Sequence, residues 1–93
     1  MDKNGYPDEH NLRVIRTWPK EAGYEDLMEY IAPTWQYADM GYFSREGNNY
    51  KLSTGGWSGN EDIIQALRDN LIFWGCCWLS SQRGGHYKFE VNS

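Results

Sequence analysis

The stretch Ser53-Thr54-Gly55-Gly56-Trp57-Ser58-Gly59-Asn60-Glu61-Asp62-Ile63-Ile64 constrains the fold more than any other part of this sequence. Three glycines surround a tryptophan, and an asparagine, two acids and an apolar stripe follow. That order predicts a tight loop feeding a capped helix. The Asn60 side-chain oxygen is placed to accept from a free N–H of the first turn. Glu61 and Asp62 then fall where the helix dipole favours negative charge. A loop of this kind turns the chain sharply, and so divides it into a unit before and a unit after.

The two units carry the same order of elements. Before the loop, Tyr24, Leu27, Met28 and Ile31 form an apolar stripe at helical spacing, which predicts a helix over residues 23–32. Pro33 disfavours helix at the residue before it and ends the run. Trp35 and Tyr37 lie just beyond, in position to pack on the core. Residues 40–45 read as a strand, 46–49 as a turn rich in Gly and Asn, and 50–54 as the partner strand. After the loop, Ile63, Ile64, Leu67 and Leu71 make a second helical stripe. The run Phe73-Trp74-Gly75-Cys76-Cys77-Trp78-Leu79 is apolar at nearly every position. It suits a central strand covered on both faces, and periodicity alone does not separate that from a continued helix. Arg83-Gly84-Gly85 makes a turn, and residues 86–91 close the chain as a strand with Tyr87, Phe89 and Val91 on one face.

At an offset of 36 positions, Glu25-Asp26-Leu27-Met28 falls on Glu61-Asp62-Ile63-Ile64, Ile31 on Leu67 and Ser44 on Ser80. One residue is gained in the second turn, after which Tyr50-Lys51-Leu52 falls on Tyr87-Lys88-Phe89. Duplication and shared secondary structure both account for such a match. Strands joined by short turns are antiparallel, and amphipathic helices need a sheet face to cover. The expected fold is therefore α+β, in the order α-β-β-α-β-β. It has a four-stranded antiparallel sheet, both helices on one face, and hairpins at residues 40–54 and 72–91. Residues 1–11 read as a loose tail in which Tyr6 is free to dock, and residues 12–93 as the single domain. Residues 12–18 read as a helical turn ended by Pro19.

The 93 residues are enough for one domain. Large aromatics, among them five Trp and seven Tyr, supply most of the available burial. A formal charge of −4 argues against direct nucleic-acid binding, where affinity rests on Lys and Arg. No apolar run reaches the ~20 residues that span a bilayer, and no N-terminal signal pattern is present. A cytoplasmic location is expected. Cys76 and Cys77 are adjacent, so on a strand they point to opposite faces, which argues against a mutual disulfide or a shared metal.

From about residue 35 to residue 91 the sequence resembles a group of small, mostly uncharacterised proteins encoded by bacteriophages and prophages. The residues that carry the likeness are Tyr37-Ala38-Asp39-Met40-Gly41-Tyr42, Ser53 to Ile64, Phe73-Trp74 and Arg83-Gly84-Gly85-His86-Tyr87. The resemblance implies a phage product expressed inside a bacterial host. It implies no particular activity and brings no catalytic residues.

Two kinds of site compete in the sequence. The first is a protein-binding surface of Trp74, Trp78, Tyr42 and Arg83, residue types that often dominate binding energy. On a strand, Trp74 and Trp78 share a face. If the helices cover the other face, this apolar row marks an interface, unless the N-terminal segment with Trp18 folds back over it. The second is a small-ligand site for a nucleotide or phosphate compound. It would use Gly56, Trp57, Ser58 and Asn60 of the loop with Arg83 and His86 of the last turn. Against it, Glu61 and Asp62 would repel an anion, and the loop also reads as a plug and cap. No nucleophile motif, metal-ligand spacing or cofactor fingerprint is recognisable. The expectation is a non-catalytic binding protein without cofactor or metal, which engages or inhibits a host protein. An anti-defence factor such as an anti-CRISPR is one such protein, and a homodimer is a further possibility.

Overall fold

A computed structural model describes residues 7–36 and 38–91. In chain order the elements are α1 (Glu9–Arg16), α2 (Tyr24–Ile31), β1 (Phe43–Glu46), β2 (Asn49–Ser53), α3 (Ser58–Asp69), α4 (Leu71–Cys77), β3 (Trp78–Gln82) and β4 (His86–Glu90). The strands form one antiparallel sheet in the order β1-β2-β4-β3. The expected α+β architecture is thus the observed one, with α1 and α4 added. Tyr6 and Tyr37 lie outside the described residues.

α1 begins inside the segment read as a tail. Asp8 and Asn11 form a reciprocal capping box: the Asp8 carboxylate accepts from the Asn11 N–H at 2.9 Å, and the Asn11 side chain accepts from the Asp8 N–H at 3.3 Å. Two otherwise unpaired donors are satisfied in this way, so the helix starts three residues before the apolar stripe does. Ile15 buries completely as α1 packs along α3. Trp18 follows it, with its ring 5.7 Å from that of Tyr30 and its indole N–H donating to the Gly23 carbonyl at 2.9 Å.

Strand alternation decides which side of the sheet meets the helices. Tyr50, Leu52 and Phe89 are buried with the helical residues Leu27, Met28, Ile31, Ile63, Ile64, Leu67 and Phe73. Lys51, His86 and Lys88 point the other way and are exposed. At the β1 edge, Arg45 reaches Glu25 of α2 at 3.3 Å and lies 5.2 Å above the Tyr50 ring, which ties strand to helix.

The repeat seen in the sequence extends to the pairing register. β1 and β2 pair Ser44 with Lys51, Arg45 with Tyr50 and Glu46 with Asn49. β3 and β4 pair Ser80 with Lys88, Ser81 with Tyr87 and Gln82 with His86. The second set is the first, shifted by 36 positions on the edge strand and 37 on the central one, and the extra residue falls in the turn at 83–85. Where the halves meet, Tyr50 faces Phe89, Leu52 faces Tyr87 and Lys51 faces Lys88. The likeness lapses at the start of β3, where a bulge lies between Trp78 and Ser80.

Three expectations are corrected. The run from Phe73 to Cys77 is helix, and the strand begins only at Trp78. Asn70 causes this. It ends α3 and its side chain accepts from the Phe73 N–H at 3.3 Å, which caps a new helix. The helix then buries Phe73 and Cys77, four positions apart, while Leu71, expected in the core, is exposed. The four-stranded sheet survives because β3 needs only the residues after the helix. Finally, Asn60 does not cap α3. The helix starts at Ser58 with Trp57 at the cap position, and Asn60 is fully buried inside the first turn. Its oxygen accepts from the Gln36 N–H at 3.0 Å, and its amide donates to the carbonyls of Gln36 at 3.2 Å and Thr54 at 3.3 Å.

Asn60→Ala would leave these buried backbone groups without partners. It is expected to destabilise the domain by about 2–3 kcal/mol, more than the loss of a cap alone, as read from the urea midpoint at constant m.

Candidate functional site

α4 and the first residues of β3 carry most of the exposed large apolar side chains among the described residues. Leu71 is 79% exposed, Ile72 60% and Trp78 42%. They stand out because α4 has only seven residues and spends its inward positions on Phe73 and Cys77. No residue separates α4 from β3, so Trp74 and Trp78 sit one helical turn apart across the joint. Their rings stack at 5.8 Å with an interplanar angle of 14°. Trp74 also meets Phe89 and Tyr87 edge-on, and the Arg68 guanidinium lies 5.1 Å from its ring centre. The Trp78 indole N–H donates to the Ser81 hydroxyl at 2.8 Å. Trp74 packs on the core, and the stack holds the Trp78 ring against it.

Trp74 and Trp78 are therefore together, though by stacking across a helix–strand joint and not by sharing a strand face. Trp18 packs instead at a tilt against Tyr30. Tyr42 is elsewhere: it precedes β1, on the opposite edge of the sheet, and its ring fills the space where a side chain on Gly55 would lie. Arg83 is in the turn at the far end of β3. Leu79, next to Trp78, turns to the outer face of the sheet.

The glycine turns are adjacent. The Thr54 N–H donates to the Gly85 carbonyl at 2.9 Å, and the Thr54 side chain occupies the place of a Cβ on Gly85, whose φ is +80°. Only glycine fits there. Asn60 is consumed in structural hydrogen bonds and Trp57 is half-buried, while Gly56 and Ser58 are exposed. Of the six residues proposed for a ligand site, the Gly56 N–H donates to the Thr54 hydroxyl at 3.4 Å, Asn60 bonds Gln36 and Thr54, and His86 meets Ser53. The His86 Nδ1 is 2.8 Å from the Ser53 hydroxyl, on the outer face of the sheet. A hydroxyl beside an imidazole is the start of a nucleophile–base pair, but among the described residues no carboxylate bonds His86 to orient it.

That outer face is polar and open. A cavity of about 560 Å³ is lined by Ser44, Arg45, Asn49, Lys51, Leu79 and Lys88 among others, and a shallower one of about 220 Å³ by Lys51, Ser53, Gln82, His86 and Lys88. Sequence reasoning passed over this face because its lysines alternate singly with apolar residues and make no cluster in the chain. Among the described residues, no group of three or more His, Cys, Asp or Glu side chains could hold a metal ion. Nor is any helix among them long and apolar enough to cross a membrane.

Comparisons with protein-family models, with curated proteins and with solved structures find no match to this chain.

The two cysteines at the joint differ in environment. Cys76 is exposed, and Cys77 is buried. Burial, reinforced by the neighbouring Cys76 thiolate and opposed by Lys20, pushes the Cys77 thiol from 9.0 up to about 11. Burial also raises Tyr24 and Tyr50 above 10.0. The unfolded chain ionises first in each case, so stability is complete below pH 9 and falls as pH rises through about 11. Cys77→Ala is expected to flatten the part of this fall between pH 9 and 10, before tyrosines ionise, in urea midpoints measured across that range. In the native protein at neutral pH, an alkylating reagent should label Cys76 rapidly and Cys77 only on unfolding.

Proposed function

We propose that this chain is a non-catalytic binding protein, with the α4–β3 joint as the surface that engages a protein partner. One observation carries the reading. Leu71 and Ile72 at the start of α4 and Trp78 just beyond its end stand exposed, while Phe73 and Cys77 between them are buried in the core. Aromatic and aliphatic anchors of this kind lose little entropy on docking and make up the energetic centres of interfaces. The β3 edge itself is blunted by its bulge, so the side chains of the joint, and not strand addition, supply the contact. The resemblance to phage-encoded proteins supports a bacterial host protein as the target, with inhibition of a host defence system as the class of outcome.

The small-ligand reading of the glycine loop loses support, because Asn60 and Thr54 use their polar groups to hold the loop together.

Trp78→Glu places a charge in the centre of the docking surface. The variant is expected to keep its circular dichroism and to lose capture of the host partner that the parent retains from lysate, with Glu46→Lys on the opposite edge of the sheet as the unaffected control. Sedimentation at several concentrations separates the alternative occupant. A parent that dimerises, and a Trp78→Glu variant that is monomeric, would assign the surface to a second copy. Unchanged capture by Trp78→Glu and by Leu71→Glu would overturn the reading.

A further inference from the structure

We propose that the outer face of the sheet binds a small phosphate-bearing anion between Lys51 and Lys88. The pairing register sets these residues directly opposite each other on the two central strands, with Cβ atoms roughly 4.5–5.5 Å apart. Both are exposed, and neither has an ion pair or a side-chain hydrogen bond among the described residues. Like charges placed in this way repel, and neither lysine forms an ion pair with Glu46 or Glu90 on the neighbouring rung. An anion seated between the two ammonium groups removes the repulsion.

The surroundings suit such a guest. Both cavities on this face include the lysine pair, so the pair lies where they meet. Ser44 and Ser80 flank it on the edge strands, at equivalent positions of the two halves. Ser53 and His86 add a hydroxyl and a ring nitrogen one rung away. The repeat relates Lys51 to Lys88 and Ser44 to Ser80, so the donors approach a central point in matched pairs. A phosphate group offers oxygens on both sides of its centre, and ammonium donors form short, charge-assisted bonds to them.

The size and class of the anion follow from what bounds the site. Glu46 and Glu90 occupy the next outward-facing rung on the other side, opposite and beside Asn49. An extended polyphosphate backbone would have to cross their charges, whereas a compact anion stays between the lysines. None of the outward-facing strand residues is Phe, Tyr or Trp, so apart from the His86 ring the face has no platform on which a base could stack, as single-stranded nucleic acid requires. A free phosphorylated metabolite or inorganic pyrophosphate fits these limits, and a nucleic-acid strand does not. The site is separate from the α4–β3 joint and stands whether or not that surface docks a protein.

The test is calorimetric titration of the full chain with pyrophosphate at low ionic strength, with inorganic phosphate, sulfate and a short oligothymidylate in parallel. Saturable one-to-one binding of pyrophosphate is expected. Lys51→Gln and Lys88→Gln should each weaken it about tenfold or more, while Lys20→Gln leaves it unchanged. Because each Gln variant also removes the repulsion, its melting temperature without anion should equal or exceed that of the parent, which shows that lost binding is not lost folding. Lys88→Arg keeps the charge and should keep the binding. Absence of saturable binding at millimolar pyrophosphate, equal binding by the Lys51→Gln/Lys88→Gln double variant, or tighter binding of the oligothymidylate would each overturn the proposal.

Discussion

Two buried asparagines hold α3 at its ends, and the layers on either side of the core depend on them. Asn60 anchors the first turn to the backbone of Gln36 and Thr54, so the loop before the helix and the segment after α2 are fixed together. Asn70 does the same at the other end. Its amide donates to the carbonyls of Ile15 at 3.0 Å and Trp18 at 3.1 Å, while its oxygen caps α4. One side chain thus closes α1, ends α3 and starts α4. A buried amide that satisfies backbone groups from three segments is costly to replace, since each group left behind lacks water as an alternative partner. In a core this small, built on aromatic side chains with few neighbours, such fixed points decide the angles at which helices meet the sheet.

Much of this arrangement was legible before any coordinates. Alternation and glycine turns placed the first hairpin and the last strand, and the offset match between Tyr50-Lys51-Leu52 and Tyr87-Lys88-Phe89 recurs in the pairing, because strand pairing obeys a two-residue period that sequence displays directly. The helical stripes of α2 and α3 were equally plain. What sequence hid was the fate of residues 71–77, since a run apolar at every position has no period to read. The deciding residue, Asn70, looked like one more polar position outside a helix. The box made by Asp8 and Asn11 was overlooked for a similar reason: Asn at the third helical position is a weaker signal than Glu or Gln.

The candidate surfaces show the same division. Trp74 and Trp78 were chosen as anchors on the premise of a shared strand face, and they are neighbours through a different geometry, a stack across a helix–strand joint. Their exposure follows from the shortness of α4, which no composition predicts. Tyr42 and Arg83 were grouped with them by residue type alone, and topology sends them to the other edge and the other end of the sheet. On the outer face, the side carrying Lys88 followed from the alternation already read for residues 86–91, and the β2–β4 pairing brings Lys51 beside it.

The seam between β2 and β4 has the form of a contact between identical subunits. Tyr50 meets Phe89 and Leu52 meets Tyr87, and each pair is the other with the halves exchanged. This is the rule obeyed by a two-fold interface, where one residue meets a second and the second meets the first. Because the seam does not distinguish which molecule supplies each half, two chains that traded their C-terminal halves at the loop before α3 would rebuild it pair for pair. The fold therefore carries within a single chain the pairing geometry of a domain-swapped assembly, with the Gly55–Gly59 loop at the place where the two halves join.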